Sequence, residues 1–226
     1  MNITKMITVA LMCAASLCSA MMPGPPQILT CPHCGKTKEI MSLRSGNTIG
    51  AKTWSDNKRI APMLPEISYV QKCPHCAKCF ILSRQKVVYA KSGYSSDCGS
   101  LSFAEAKEAF AQLSQEKFRN TEEEAGVRML LHRAYNDYYF RNGGRRTVAE
   151  ADQKLFRENA LWLIENCIKD DVMKAEFYRE AGDMKKAKAL IEKVSVNDDF
   201  LKGIVATIKK KIRKGETAVF LIESAH

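Results

Sequence analysis

The chain has 226 residues, 46% of them hydrophobic and 27% charged, with a formal net charge of +10. That balance excludes global disorder, because it supplies enough apolar surface for a packed core, and the length suits one large domain or two small ones. The cation excess is uneven: residues 31–100 hold 11 Lys and Arg against 4 Asp and Glu, whereas residues 101–226 hold 23 against 21.

Lys5 is the only charged side chain before Cys31. The apolar run Met6–Ala15 follows it, and Cys18-Ser19-Ala20 then presents small residues. A positive start, a short apolar stretch and a small-x-small exit mark a secretory signal peptide. Residues 1–20 are therefore expected to be a signal peptide cleaved after Ala20, which exports the protein to the periplasm or cell envelope. A retained membrane anchor, or a chain that stays in the cytoplasm, is the alternative. Met12 and Leu17 precede Cys13 and Cys18 where a lipoprotein signal needs small residues. Residues 21–28, with Pro23, Pro25 and Pro26, read as an extended leader.

Residues 29–90 read as a small β-rich domain built on a repeated unit. Cys31-Pro32-His33-Cys34 and Cys73-Pro74-His75-Cys76 are two copies of one tetrapeptide, 42 positions apart. Gln27–Thr30 and Ile67–Val70 enter the two turns as strands. Lys38–Leu43 and Phe80–Leu82 leave them. Ser45-Gly46-Asn47 and Ala61-Pro62-Met63-Leu64-Pro65 mark loops between. Residues 91–100, rich in Ser and Gly, form a linker.

From Leu101 to His226 the period becomes helical. Ser102 with Glu105 makes a capping box before a helix to about Phe118. Thr121 and three glutamates open the next, in which Val127, Leu130, Leu131, Ala134 and Tyr138 share a face. Thr147 with Glu150 opens a third helix and Asp170-Asp171 a fourth. Gly182-Asp183 separates the fourth from a short fifth, and Asp198 begins a last helix to about Lys214. Thr217–Ile222 reads as a short terminal strand or docking segment. Ala175, Tyr178, Gly182 and Ala187 fall at the small, aromatic, glycine and small positions of a tetratricopeptide-type hairpin.

Each Cys-x-x-Cys supplies two sulfurs from one turn, and two such turns together supply the four thiolates of a tetrahedral zinc site. Cys31, Cys34, Cys73 and Cys76 are the expected ligands, and Zn²⁺ the expected structural cofactor, since no ligand position is left open. Lys36, Lys72 and Lys78 place positive charge near the thiolates. Gly35 follows the first pair, and Ala77 replaces it after the second. His33 and His75 are expected to lie exposed beside the sulfurs. Cys79 creates an overlapping Cys76-x-x-Cys79, and the states of Cys79 and Cys98 stay open. Cys167 lies among apolar residues and reads as core, and His132, on a helix, reads as structural rather than catalytic.

Cys-Pro-His-Cys also occurs at the active site of DsbA-like disulfide oxidoreductases, and export favours disulfides. That chemistry needs the first cysteine at a helix N-terminus, whereas here a strand-like run follows. No Ser-His-Asp pattern and no glycine-rich phosphate loop is present, and no catalytic residue is assigned.

Leu29–Gly35, Trp54-Ser55-Asp56, Pro62-Met63-Leu64-Pro65, Lys72–Cys76 and the hairpin at 175–194 together resemble a bacterial family of uncharacterised proteins. Members of that family pair an N-terminal two-knuckle zinc ribbon with tetratricopeptide-like helices. The resemblance covers most of residues 29–200. It implies zinc at the four cysteines and brings no known activity.

The expected fold class is α+β: a zinc ribbon followed by an α-helical, tetratricopeptide-like bundle. The expected function is a non-catalytic interaction or scaffold protein, with a protein partner on the helices and an anionic surface as a further partner of the basic ribbon. An envelope thiol-disulfide oxidoreductase is one alternative. Nucleic-acid binding through the basic ribbon is another, tied to a chain that is not exported.

Overall fold

In a computed structural model of the chain, residues 21–142 and 146–222 are described. The expected signal peptide lies outside them. The fold is α+β, with short antiparallel strands first and six α-helices after them among the described residues. None of these helices is long and apolar enough to cross a membrane.

Two hairpins organise the β-rich part. Strand β2 (Gln27–Thr30) pairs with β3 (Thr37–Ile40) in register Leu29↔Lys38 and Thr30↔Thr37, and β7 (Val70–Lys72) pairs with β8 (Cys79–Ile81) in register Lys72↔Cys79. Each hairpin turns through one Cys-Pro-His-Cys. Leu29, Ile40 and Phe80 are buried between them, together with Cys31 and Cys73. The leader is more ordered than its prolines suggest: β1 (Met22–Pro23) pairs with β4 (Leu43–Ser45), an edge position where a proline costs no ladder bond. Strands β5 (Lys52–Trp54) and β6 (Arg59–Ile60) form a third hairpin, and β9 (Val88–Tyr89) flanks β2.

Helices α1 (Phe103–Glu116), α2 (Thr121–Asn136), α3 (Glu150–Asn166), α4 (Asp171–Glu180), α5 (Met184–Ile191) and α6 (Asp199–Arg213) each pack against the next in sequence. The Ser102–Glu105 capping box forms at α1, and Asn120, Asp170, Asp183 and Asp198 cap α2, α4, α5 and α6. Helix α3 differs from expectation. Its cap is Ala149, with no side-chain bond, so Thr147 lies outside the helix.

Helix α2 also departs from its sequence pattern. It continues into a wider π turn at Asp137–Arg141. One extra residue per turn advances the phase of the face that follows. Tyr139 is therefore buried beside Tyr135 in the cluster of Phe103 and Phe156, and Tyr138, expected on one face with Val127 and Leu131, is 42% exposed.

The two parts of the chain share packing. Val70, Cys79 and Ile81 from the second hairpin form one cluster with Ala109 and Leu113 of α1 and Val127 of α2. At the other end β10 (Leu221–Ile222) pairs with β5, Leu221↔Trp54, so the chain closes back onto its β-rich part.

Candidate metal centre

The two knuckles are built alike. In the first, the Cys31 N–H donates to the Lys36 carbonyl and the Gly35 N–H to the Cys31 carbonyl, both at 2.9 Å. In the second, Cys73 donates to Lys78 and Ala77 to Cys73, again at 2.9 Å. This closure puts the fifth residue of each knuckle in the left-handed region, with φ of 72° at Gly35 and 59° at Ala77. Glycine takes that conformation without strain, whereas alanine does not.

The hairpins bring Cys31, Cys34, Cys73 and Cys76 together, with all four sulfurs within 4.8 Å of one another. The closest approaches run between knuckles: Cys31 Sγ to Cys76 Sγ is 3.6 Å and Cys34 Sγ to Cys73 Sγ is 3.7 Å. A metal with thiolate bonds of about 2.3 Å in tetrahedral geometry needs sulfur–sulfur edges of about 3.8 Å. The quartet fits such an ion. Cys31 and Cys73 are buried, Cys76 is half-buried and Cys34 faces solvent.

The electrostatics favour a cation among them. Burial pushes the Cys73 thiol up, but the backbone N–H groups of Cys76 and His75 outweigh it and hold the thiol at about 6. At Cys76 the Lys78 N–H pulls downward, and desolvation with the sulfurs of Cys31, Cys73 and Cys34 pushes the thiol up to about 12. The first thiolate forms readily, and further negative charge in the same small volume is opposed. A bound dication relieves that opposition.

The surroundings separate the sulfurs from other donors. His33 and His75 are exposed, and His33 Nε2 lies 3.2 Å from the Cys79 carbonyl and 3.9 Å from a Glu116 oxygen. Cys79 is not part of the quartet: its thiol is buried in the cluster shared with α1, and burial pushes it up. Lys72 pairs with Glu105 at 2.9 Å rather than with a thiolate, whereas Lys36 and Lys78 are exposed. Cys79, Cys98 and Cys167 are free thiols.

A second polar cluster was not expected from the sequence, in which only His132 stood out, as a structural rather than catalytic residue. His132 is fully buried between the rings of Phe156 and Phe177, with centroids 4.5 and 4.3 Å away. Its Nε2 is 2.9 Å from Glu180 Oε2, which also accepts from Asn136 Nδ2 at 3.0 Å. The same Asn136 amide donates to Asp56 at 3.1 Å, and Asp56 pairs with Arg141. His132 and Asn136 stand four apart on one face of α2, and the π turn swings Arg141 back toward Asp56. That i, i+4 pairing of polar residues in a helix with a buried face was the available signal.

No protein-family model, no curated protein and no solved structure matches the chain.

Proposed function

We propose that Cys31, Cys34, Cys73 and Cys76 hold one structural Zn²⁺, and that the protein is an exported, non-catalytic interaction module. In this reading the β-rich part is a zinc ribbon, and the helices form a tetratricopeptide-like domain that binds a protein partner. The observation that carries it is the sulfur quartet, whose 3.6 and 3.7 Å separations suit a tetrahedral all-thiolate ion. All four positions are taken by protein, so the ion has no open site for substrate. A small β-rich part, whose cluster between the knuckles holds Leu29, Ile40 and Phe80 beside two of the cysteines, gains from such a cross-link.

Three further features support the helical and export readings. Each helix packs on its neighbour in sequence, as stacked repeats do. Gly182, at φ 81°, makes the tight turn between α4 and α5. The apolar run before residue 21 matches a signal peptide.

Elemental analysis with thiol counting on the full chain tests the metal reading. The expected result is about one zinc per chain, with Cys31, Cys34, Cys73 and Cys76 alkylated only after chelation. Iron in place of zinc, or disulfides within each knuckle, would overturn it. N-terminal sequencing of protein from its native compartment tests export, with Met21 as the expected first residue.

A further inference from the structure

A cleft of about 510 Å³ opens between the β-rich part and α2. Its size lies in the range of small-molecule sites, which favour such junctions. Tyr69 and α2 form one side. Gly126 sits inside α2, where glycine costs about 1 kcal/mol relative to alanine. A Cβ there would stand 2.4 Å from Tyr69 Cε1, so the glycine is what lets the ring approach the helix. Leu101, Met129 and Leu130 extend this apolar surface. From the β6 segment come Ile60 and Leu64, which are 44% and 42% exposed.

The charged groups of the cleft are unequally used. Asp137 accepts from Lys58 and, at 2.6 Å, from Arg141, and Glu66 accepts from Arg133 Nη1 at 2.9 Å. The donors are in surplus. Among the described residues, Arg133 Nε is buried without an acceptor, and Arg59 is exposed and forms no ion pair. The cleft thus offers an apolar surface, a partly exposed lining arginine whose N–H groups are not all matched, and an unpaired cation.

We propose that this cleft binds a small amphiphilic carboxylate, with its aliphatic chain against Tyr69 and Leu130 and its carboxylate at Arg133 and Arg59. The Glu66 side chain is 56% exposed, and a solvent-facing ion pair of this kind is weak enough to open for an incoming anion. The site is independent of the metal and of export.

Isothermal titration of the full chain with decanoate, and with decanol as the uncharged match, tests this. Decanoate should fill one saturable site, and decanol should bind about tenfold more weakly or less, because it cannot form the charge-assisted bonds. Ile60→Asp should abolish binding, Arg59→Glu should weaken it, and Glu66→Gln should tighten it by removing a competing carboxylate. These three positions are exposed or half-buried, so each variant should keep the parent's melting temperature. Cys98 also lines the cleft as a free thiol, and bound decanoate should slow its alkylation, read by peptide mapping. Absence of decanoate binding, equal affinity for decanol, or binding unchanged in a folded Ile60→Asp would overturn the proposal.

Discussion

Gln112 brackets the backbone of Cys79. Its Oε1 accepts the Cys79 N–H at 3.0 Å, and its Nε2 donates to the Cys79 carbonyl at 2.9 Å. One amide side chain on α1 thus does for strand β8 what a further strand would do. Cys79 is three residues from Cys76, so α1 braces the second knuckle directly. Gln112→Ala removes both bonds at a buried residue and is expected to cost about 1–3 kcal/mol. It should also speed loss of metal to a chelator. Denaturant titration and the rate of metal release check the two effects, and an unchanged release rate would show that the knuckle does not lean on α1.

The buried His132–Glu180 pair makes stability depend on pH on both sides of a plateau. Burial lowers His132 from its ordinary value of 6.5 to about 3. Burial, with Glu176 nearby, raises Glu180 well above its ordinary 4.5. The folded pair therefore takes up a proton at His132 only as pH falls toward 3, and keeps the Glu180 proton to a pH well above 4.5. An unfolded chain holds two below about pH 4.5, one between about 4.5 and 6.5, and none above. Glu180, raised on folding, contributes stability present below 4.5 and lost as pH rises. His132, lowered on folding, contributes stability present above 6.5 and lost as pH falls toward 3. Together they give a plateau near pH 4.5–6.5 with losses of up to about 1.4 kcal/mol per pH unit on either side. Glu180→Gln keeps the hydrogen bonds and removes the alkaline loss. Denaturation at pH 6 and pH 8.5 reads the difference, and an unaltered alkaline slope in the variant would refute the assignment.

What the sequence made legible was local. The knuckles could be read because each packs two cysteines, a proline and the Gly35 or Ala77 turn into five residues. The capping box at Ser102 and the turn at Gly182 rest on spacings of the same order. Long-range polar pairing was not legible. Asp56 meets Arg141 and Asn136 across 85 and 80 positions, and no periodicity connects them. The π turn shifted Tyr138 outward because a helical wheel assumes one residue count per turn. The cleft was hidden for a related reason: Ile60, Tyr69, Leu101 and Leu130 belong to four segments that only the fold assembles.

Ala77 carries a cost that Gly35, its counterpart in the first knuckle, does not. Both lie in the left-handed region, and a side chain there is disfavoured by about 1–2 kcal/mol. Ala77→Gly should relieve that strain, partly offset by the greater freedom of glycine in the unfolded chain. The expected net gain is about 0.5–1 kcal/mol. Thermal unfolding of the metal-loaded chain measures it, and a lower midpoint in the variant would mean that Ala77 contributes packing that outweighs the strain.

Asp56 and Arg141 hold the loop after Trp54 against the end of α2. Both side chains are almost wholly buried, and the Arg141 guanidinium also stands 5.5 Å from the Trp54 ring centre. Removing one partner leaves the other charge buried and poorly compensated, which costs about 3–5 kcal/mol. Asp56→Ala is therefore expected to destabilise by about that amount, softened by Asp137, the remaining carboxylate beside Arg141 at 2.6 Å. Removing both charges has a different sign of argument. An apolar replacement of a buried pair forfeits the attraction but also escapes the desolvation penalty, and the two come close to cancelling. The double variant Asp56→Ala, Arg141→Met should recover much of the loss of the single one. Its residual cost measures what Asn136 and Asp137 lose as hydrogen-bond partners. A double variant no more stable than Asp56→Ala would show that the pair is held for its bonds to those neighbours rather than for its charge.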